Sequence, residues 1–152
     1  MRIFHTTSEE ETIALGERLA RELPERALVL LVGELGAGKT TLAKGLVRGL
    51  GAAEADEVSS PTFTLVHEYG VGRKVYHVDL YRIETQEELE SVGLEELLER
   101  DAVVLVEWGE KFSGFWPEDR ITIELLRQAD ERHEIRVTGL SEGSARGRSP
   151  LC

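Results

Sequence analysis

An α/β fold, with a central and mostly parallel sheet, antiparallel additions and flanking helices, is predicted by three features of the sequence. Ala27–Val32 and residues 102–106 are unbroken apolar runs of strand length, as expected of strands buried on both faces of a parallel sheet. The first runs straight into a glycine-rich loop, GELGAGKTT at 33–41. Out of that loop come Leu42, Leu46 and Leu50, with Ala43 and Val47 beside them, at helical spacing until Gly51.

The remaining elements follow in chain order. Residues 2–6 are expected to form a short first strand. Ser8-Glu9-Glu10-Glu11, after Thr7, then matches a capping box, in which the serine and the acid three residues on satisfy backbone N–H groups reciprocally. A helix should follow, with Ile13, Leu15, Leu19 and Leu23 spaced for one face and Pro24 as its stop. After the loop's own helix comes a polar connector, 52–60. Residues 62–69 and 74–81 are strand-like runs joined by Gly70-Val71-Gly72, which predicts a hairpin. An acidic helical region, 84–101, leads to the second apolar strand, the natural parallel neighbour of the first. Residues 120–126 and 133–137 are expected to close the sheet as an antiparallel pair. This gives a single domain over 1–140. The tail, 141–152, has little apolar content and is expected to be disordered.

Composition narrows the function. A chain of 152 residues suits one domain with a substantial core. No apolar run approaches the length that crosses a bilayer, and the N-terminus lacks a basic-then-apolar leader, so a cytoplasmic protein without membrane contacts is expected. The single cysteine, Cys152, is terminal and can neither staple the fold nor complete a metal site. Eighteen basic against 29 acidic residues give a net charge of −11, which repels a nucleic-acid backbone. Within 84–101 lie Glu84, Glu87, Glu88, Glu90, Glu95, Glu96, Glu99 and Asp101 against one base, Arg100. That run is either a solvated helix face or a patch for a basic partner.

The chemistry is concentrated in the loop. Strand, G-x-x-x-x-G-K-T, helix is the phosphate-binding P-loop in its required context, so the fold expected is P-loop NTPase-like. Gly33, Gly36 and Gly38 let the backbone wrap closely and turn its N–H groups inward, with Glu34, Leu35, Ala37 and Thr41 completing the nucleotide-binding stretch. Lys39 would reach the β and γ phosphates, and the Thr40 hydroxyl would ligate magnesium. Hydrolysis also needs carboxylates to complete the magnesium site and orient a water. Asp79 and Glu107 stand where strands should end, at the edge where ligands gather. Trp108 either stacks on a purine or fills core. Ser60, Pro61 and Thr62 form a hydroxyl-rich loop in the position of a switch that senses a γ-phosphate, with a plain proline turn as the alternative. His5, His67, His77 and His133 lack metal-ligand spacing, and none is assigned to a metal.

Four motifs in this order, GELGAGKTTL, SSPTFTLV, YHVDLYR and VEWGE, closely resemble the TsaE family of bacterial ATPases across roughly residues 1–140. The resemblance implies ATP and Mg2+ as cofactors and weak hydrolysis in isolation. It implies a role in making threonylcarbamoyladenosine, the modified base beside the anticodon of tRNAs that read codons beginning with A. It implies as partners the threonylcarbamoyl-transferase subunit and its paralogue, with tRNA met only indirectly through them. Carried over by position, it makes Lys39 the phosphate lysine, Thr40 a metal ligand, Asp79 and Glu107 the acids of the metal and water site, and Trp108 the adenine-stacking residue. Ser60-Pro61-Thr62 matches the switch-like loop. An arginine of the closing strands, Arg127 or Arg132, is a further candidate to reach the nucleotide, with no motif to choose between them.

Three other classes are weighed against this. A small-molecule kinase needs a lid with arginines, and the stretch most available for one, 84–101, is acidic. A GTPase would carry an Asn-Lys-x-Asp motif, which is missing. A non-hydrolytic, nucleotide-gated binding module would keep its cellular activity when Glu107 is replaced by alanine.

Overall fold

A computed structural model describes residues 1–61, 65–71 and 73–140. Thr62 of the switch-like loop, Gly72 of the hairpin and the tail 141–152 lie outside the described residues. The strands are β1 Arg2–Thr6, β2 Ala27–Val32, β3 Val66–Tyr69, β4 Lys74–Asp79, β5 Ala102–Glu107, β6 Ile121–Arg127 and β7 His133–Thr138. The α-helices are α1 Glu9–Ala20, α2 Lys39–Gly49, α3 Gln86–Ser91 and α4 Leu94–Leu98. One sheet holds the strands in the order β1-β7-β6-β2-β5-β4-β3. Its four central strands, β6, β2, β5 and β4, run parallel. β7 and β1 add antiparallel on one side, and β3 pairs antiparallel with β4 on the other.

The unbroken apolar runs are explained by cover on both faces. In β2, Ala27, Val29 and Leu31 join Leu19, Leu42 and Leu46 under α1 and α2, while Leu28 and Leu30 face the opposite core with Leu89, Leu94 and Trp116. β5 alternates likewise, with Val103 and Leu105 on the α1/α2 side and Val104 and Val106 on the other. The two long helices touch backbone to backbone. A Cβ on Gly45 would sit 2.1 Å from the Ile13 carbonyl oxygen, and one on Gly16 would sit 2.7 Å from that of Leu42.

Local details depart from expectation for clear reasons. The Ser8 hydroxyl caps α1 as expected, accepting the Glu11 N–H at 3.1 Å. The return arm reaches one residue earlier: Glu11 Oε1 accepts the backbone N–H and the hydroxyl of Thr7 at 2.6 and 2.9 Å, because Thr7 offers two donors. α1 stops at Ala20, and Leu23 is buried from the tightened turn beyond it, with its N–H donating to the Ala20 carbonyl. The acidic region is two short helices separated by Gly93, whose φ of +84° suits glycine. Its eight carboxylates are all exposed, as both a solvated face and a patch for a basic partner require.

Candidate functional site

β2 delivers the chain to the loop 33–38, and α2 starts at Lys39. Gly36 and Gly38 have φ of +83° and +102°, conformations open to glycine. Gly33 is held by proximity instead, since a Cβ there would lie 2.8 Å from the Leu125 carbonyl oxygen. The two ends of the long helices contrast. Ser8 caps α1, whereas no side chain caps α2 and no acid stands in its first turn. The first N–H groups of α2, and the positive end of its dipole, are therefore left for an anion.

Lys39 is 5% exposed and carries its charge at the base of this loop. Its Nζ donates to the Gly33 carbonyl at 2.6 Å and lies 3.5 Å from the centroid of the Trp108 ring. Burial pushes the amine below its ordinary pKa, and the carboxylates of Glu107, Glu110 and Asp79 pull it back upward.

The acids arrive through sheet register. Asp79 pairs with Glu107 across β4 and β5, and His77 pairs with Leu105 two residues earlier. Strand alternation puts His77, Asp79 and Glu107 on the face of Val75 and Leu105, which is the α2 face. There Glu107 Oε2 accepts from the Thr40 hydroxyl at 3.3 Å and meets His77 Nε2 at 2.6 Å. Asp79 accepts the Ser60 hydroxyl on Oδ2 and the Tyr81 N–H on Oδ1, both at 2.9 Å. Asp79 and Glu107 are nearly fully buried.

Lys39, Thr40, Ser60, Asp79 and Glu107 surround a cavity of about 400 Å³ that also takes in Gly36, Gly38, Thr41, Tyr81 and Trp108. A second cavity of about 690 Å³ adjoins it, lined by Gly33, Glu34, Leu35, Ala37 and the end of β6 from Glu124 to Arg127. Trp108 borders both, so its indole marks their junction. It sits at φ +67°, an uncommon conformation for a bulky residue, with its ring centroid 5.2 Å from that of Tyr81.

The loop, Asp79, Glu107, Trp108 and Ser60 are thus brought together, and Pro61 is buried beside them. Of the two candidate arginines, Arg127 lines the second cavity, with Nη1 3.8 Å from where a Cβ on Gly36 would be. Sequence reasoning missed His77 and Tyr81. The signal for His77 was present: an imidazole two residues before Asp79 in a strand shares its face.

Comparison with known proteins identifies the family. A family model described as "Threonylcarbamoyl adenosine biosynthesis protein TsaE" matches residues 6–135. The chain belongs to the TsaE family. It is 40% identical over 130 residues to the tRNA threonylcarbamoyladenosine biosynthesis protein TsaE of Treponema pallidum, covering 86% of this chain and 95% of that protein. The TsaE of Haemophilus influenzae is 44% identical over 107 residues, a match spanning 70% of this chain and 66% of that one. Among solved structures, Bacillus subtilis YdiB superposes with a TM-score of 0.75 at 30% identity, covering 99% of this chain and 93% of YdiB. The seven-stranded α/β sheet with its parallel centre is therefore the fold of TsaE. Among the described residues of this TsaE-family chain, no helix is long and apolar enough to cross a membrane.

Proposed function

We propose that this TsaE-family chain is a magnesium-dependent ATPase that supports threonylcarbamoyladenosine modification of tRNA. In this reading it works in the cytoplasm on the threonylcarbamoyl-transferase subunit and its paralogue, and tRNA is held by those partners. One observation carries the proposal. An uncapped helix N-terminus, a buried lysine and two buried carboxylates converge on one cavity at the carboxyl ends of parallel strands.

Each side chain has a task in that reading. A phosphate entering the loop competes with the Gly33 carbonyl and the Trp108 ring for Lys39. The Thr40 hydroxyl and the carboxylates of Asp79 and Glu107 are hard oxygen donors, the set that magnesium takes. Among the described residues no group of three or more His, Cys, Asp or Glu could hold a metal alone. Magnesium suits such a place, since one or two carboxylates plus substrate phosphates usually hold it. Bound with the nucleotide, it would offset charge on the phosphates during transfer. Asp79 and Glu107 would position the ion and the attacking water between them. The base would occupy the second cavity, with Arg127 beside it and Trp108 swung from Lys39 onto the adenine.

The test is the ATP hydrolysis rate with and without the transferase pair, with Lys39→Ala as the blank. A low rate alone, raised by the partners and abolished by the substitution, is expected. No change on adding partners, or fast hydrolysis without them, would remove the partner-coupled role. Cellular activity surviving Glu107→Ala would favour a nucleotide-gated module instead.

A further inference from the structure

We propose that His77 is a positioning residue for Glu107, holding one carboxylate oxygen from beneath so that the other is left for the ligand. The inference rests on the ATPase reading of the site and goes a step beyond it.

His77 is fully buried in β4, among Val75, Val78 and Leu105, which are fully buried too. An apolar residue would pack there at no polar cost, whereas an imidazole without partners in such a place is expensive. The structure gives it one hydrogen bond, Nε2 to Glu107 Oε2 at 2.6 Å, and leaves Nδ1 without a partner. With Glu107 as a carboxylate, which only accepts, this bond requires the proton on Nε2. A proton on Nδ1 would be an unbonded buried donor, so Nδ1 carries the lone pair. The same Oε2 accepts from Thr40, the proposed metal ligand. Both donors thus converge on Oε2, and among the described residues Oε1 has no hydrogen-bond partner. With Glu107 lining the phosphate cavity, Oε1 is the oxygen available to whatever fills it. An imidazole that fixes a ligating carboxylate is the mirror of the carboxylate that fixes a ligating imidazole, where losing the support costs about tenfold to a hundredfold in metal affinity or activity.

Two variants and two measurements test this on the full-length protein. His77→Leu removes the donor while keeping an apolar residue of comparable bulk, and His77→Gln restores an amide N–H near the Nε2 position. In His77→Leu, partner-stimulated kcat should fall about tenfold to a hundredfold while KM for ATP stays within about threefold, and His77→Gln should recover most of the loss. Without any ATP, 15N NMR of the wild-type imidazole should show Nε2 protonated and Nδ1 bare, with the Nε2–H resonance moved by Glu107→Gln. A folded His77→Leu protein with unchanged kcat would overturn the proposal. So would a His77→Gln protein as impaired as His77→Leu with a native melting temperature, or an Nδ1–H tautomer in the wild type. If His77→Leu does not fold, the tautomer and His77→Gln decide. If the wild type shows no Lys39-dependent hydrolysis, the ATPase reading fails, and the tautomer together with calorimetric Mg·ADP affinity of the variants still judges His77.

Discussion

On one face of the sheet, α1 and α2 meet backbone to backbone through Gly16 and Gly45; on the other, α3 and α4 pack through side chains alone, with Leu89 buried from α3, Leu94 buried from α4, and Leu97 and Leu98 partly buried beside it. The first pair has 12 and 11 residues, the second 6 and 5. Helices that touch through glycine cannot slide or separate without losing contact along their length, whereas short helices held by a few side chains can shift around them. The contrast matches the proposed function. The tight face starts α2 at the phosphate loop and receives Asp79 and Glu107 from the sheet, so the groups needing the most exact placement stand on the part with the least freedom. The other face carries the exposed acids.

Three experiments break or sharpen that contrast. The largest effect is expected from Gly45→Ala, whose new Cβ would meet the Ile13 carbonyl oxygen at 2.1 Å. Because the obstacle is backbone, α1 and α2 must part, and a loss of about 4 kcal/mol or more in denaturant unfolding is expected. Leu89→Ala should cost less, about 3 kcal/mol, because α3 can settle into part of the gap. Nucleotide affinity, measured by calorimetry, should survive Leu89→Ala, and its loss would mean that the two faces are not independent. The smallest effect concerns the acid caps. Hydrogen bonds from Thr7 hold the Glu11 carboxyl below its ordinary pKa, and backbone N–H groups of Glu84 and Thr85 do the same for Glu88. Lowered carboxyl pKa values stabilise the fold above the ordinary value of 4.5, and that contribution is lost as pH falls through the folded values. Glu11→Gln and Glu88→Gln should therefore melt below the wild type at pH 7 and converge with it in acid. The short α3 should lose hydrogen-exchange protection first.

How much of this could be read from the chain depended on how local each signal was. The loop, its strand and its helix are contiguous, and the apolar run of β5 announces a strand covered on both sides, so the parallel pair and the acid at its end were legible. The hairpin and the closing pair were legible for the same reason. Strand order was not, because placing β6 against β2 and β1 against β7 depends on pairings between distant segments. Gly16 and Gly45 carry no signal within their own helices, since the carbonyls that explain them, those of Leu42 and Ile13, belong to the other helix. The bond from His77 to Glu107 spans 30 residues, and only strand alternation combined with the observed register reveals it. Trp108 was legible only as a candidate, and its contact with Lys39 was not legible, because it depends on a backbone conformation that sequence rarely betrays in a tryptophan.

The order of the sheet also sets a timetable. Among the described strands, β1 leaves the ribosome first, and its neighbour in the sheet, β7, leaves last. Arg2 finds Val137 only when nearly all of the described chain has been synthesised. Until then β1 has no template, and the β6 edge stands bare beside the parallel centre. Such distant pairing carries a high loop-closure cost and comes late in folding. The glycine-rich loop, whose strand and helix are made in the first third of the chain, thus waits for the sheet's border to be closed by β1 and β7 meeting.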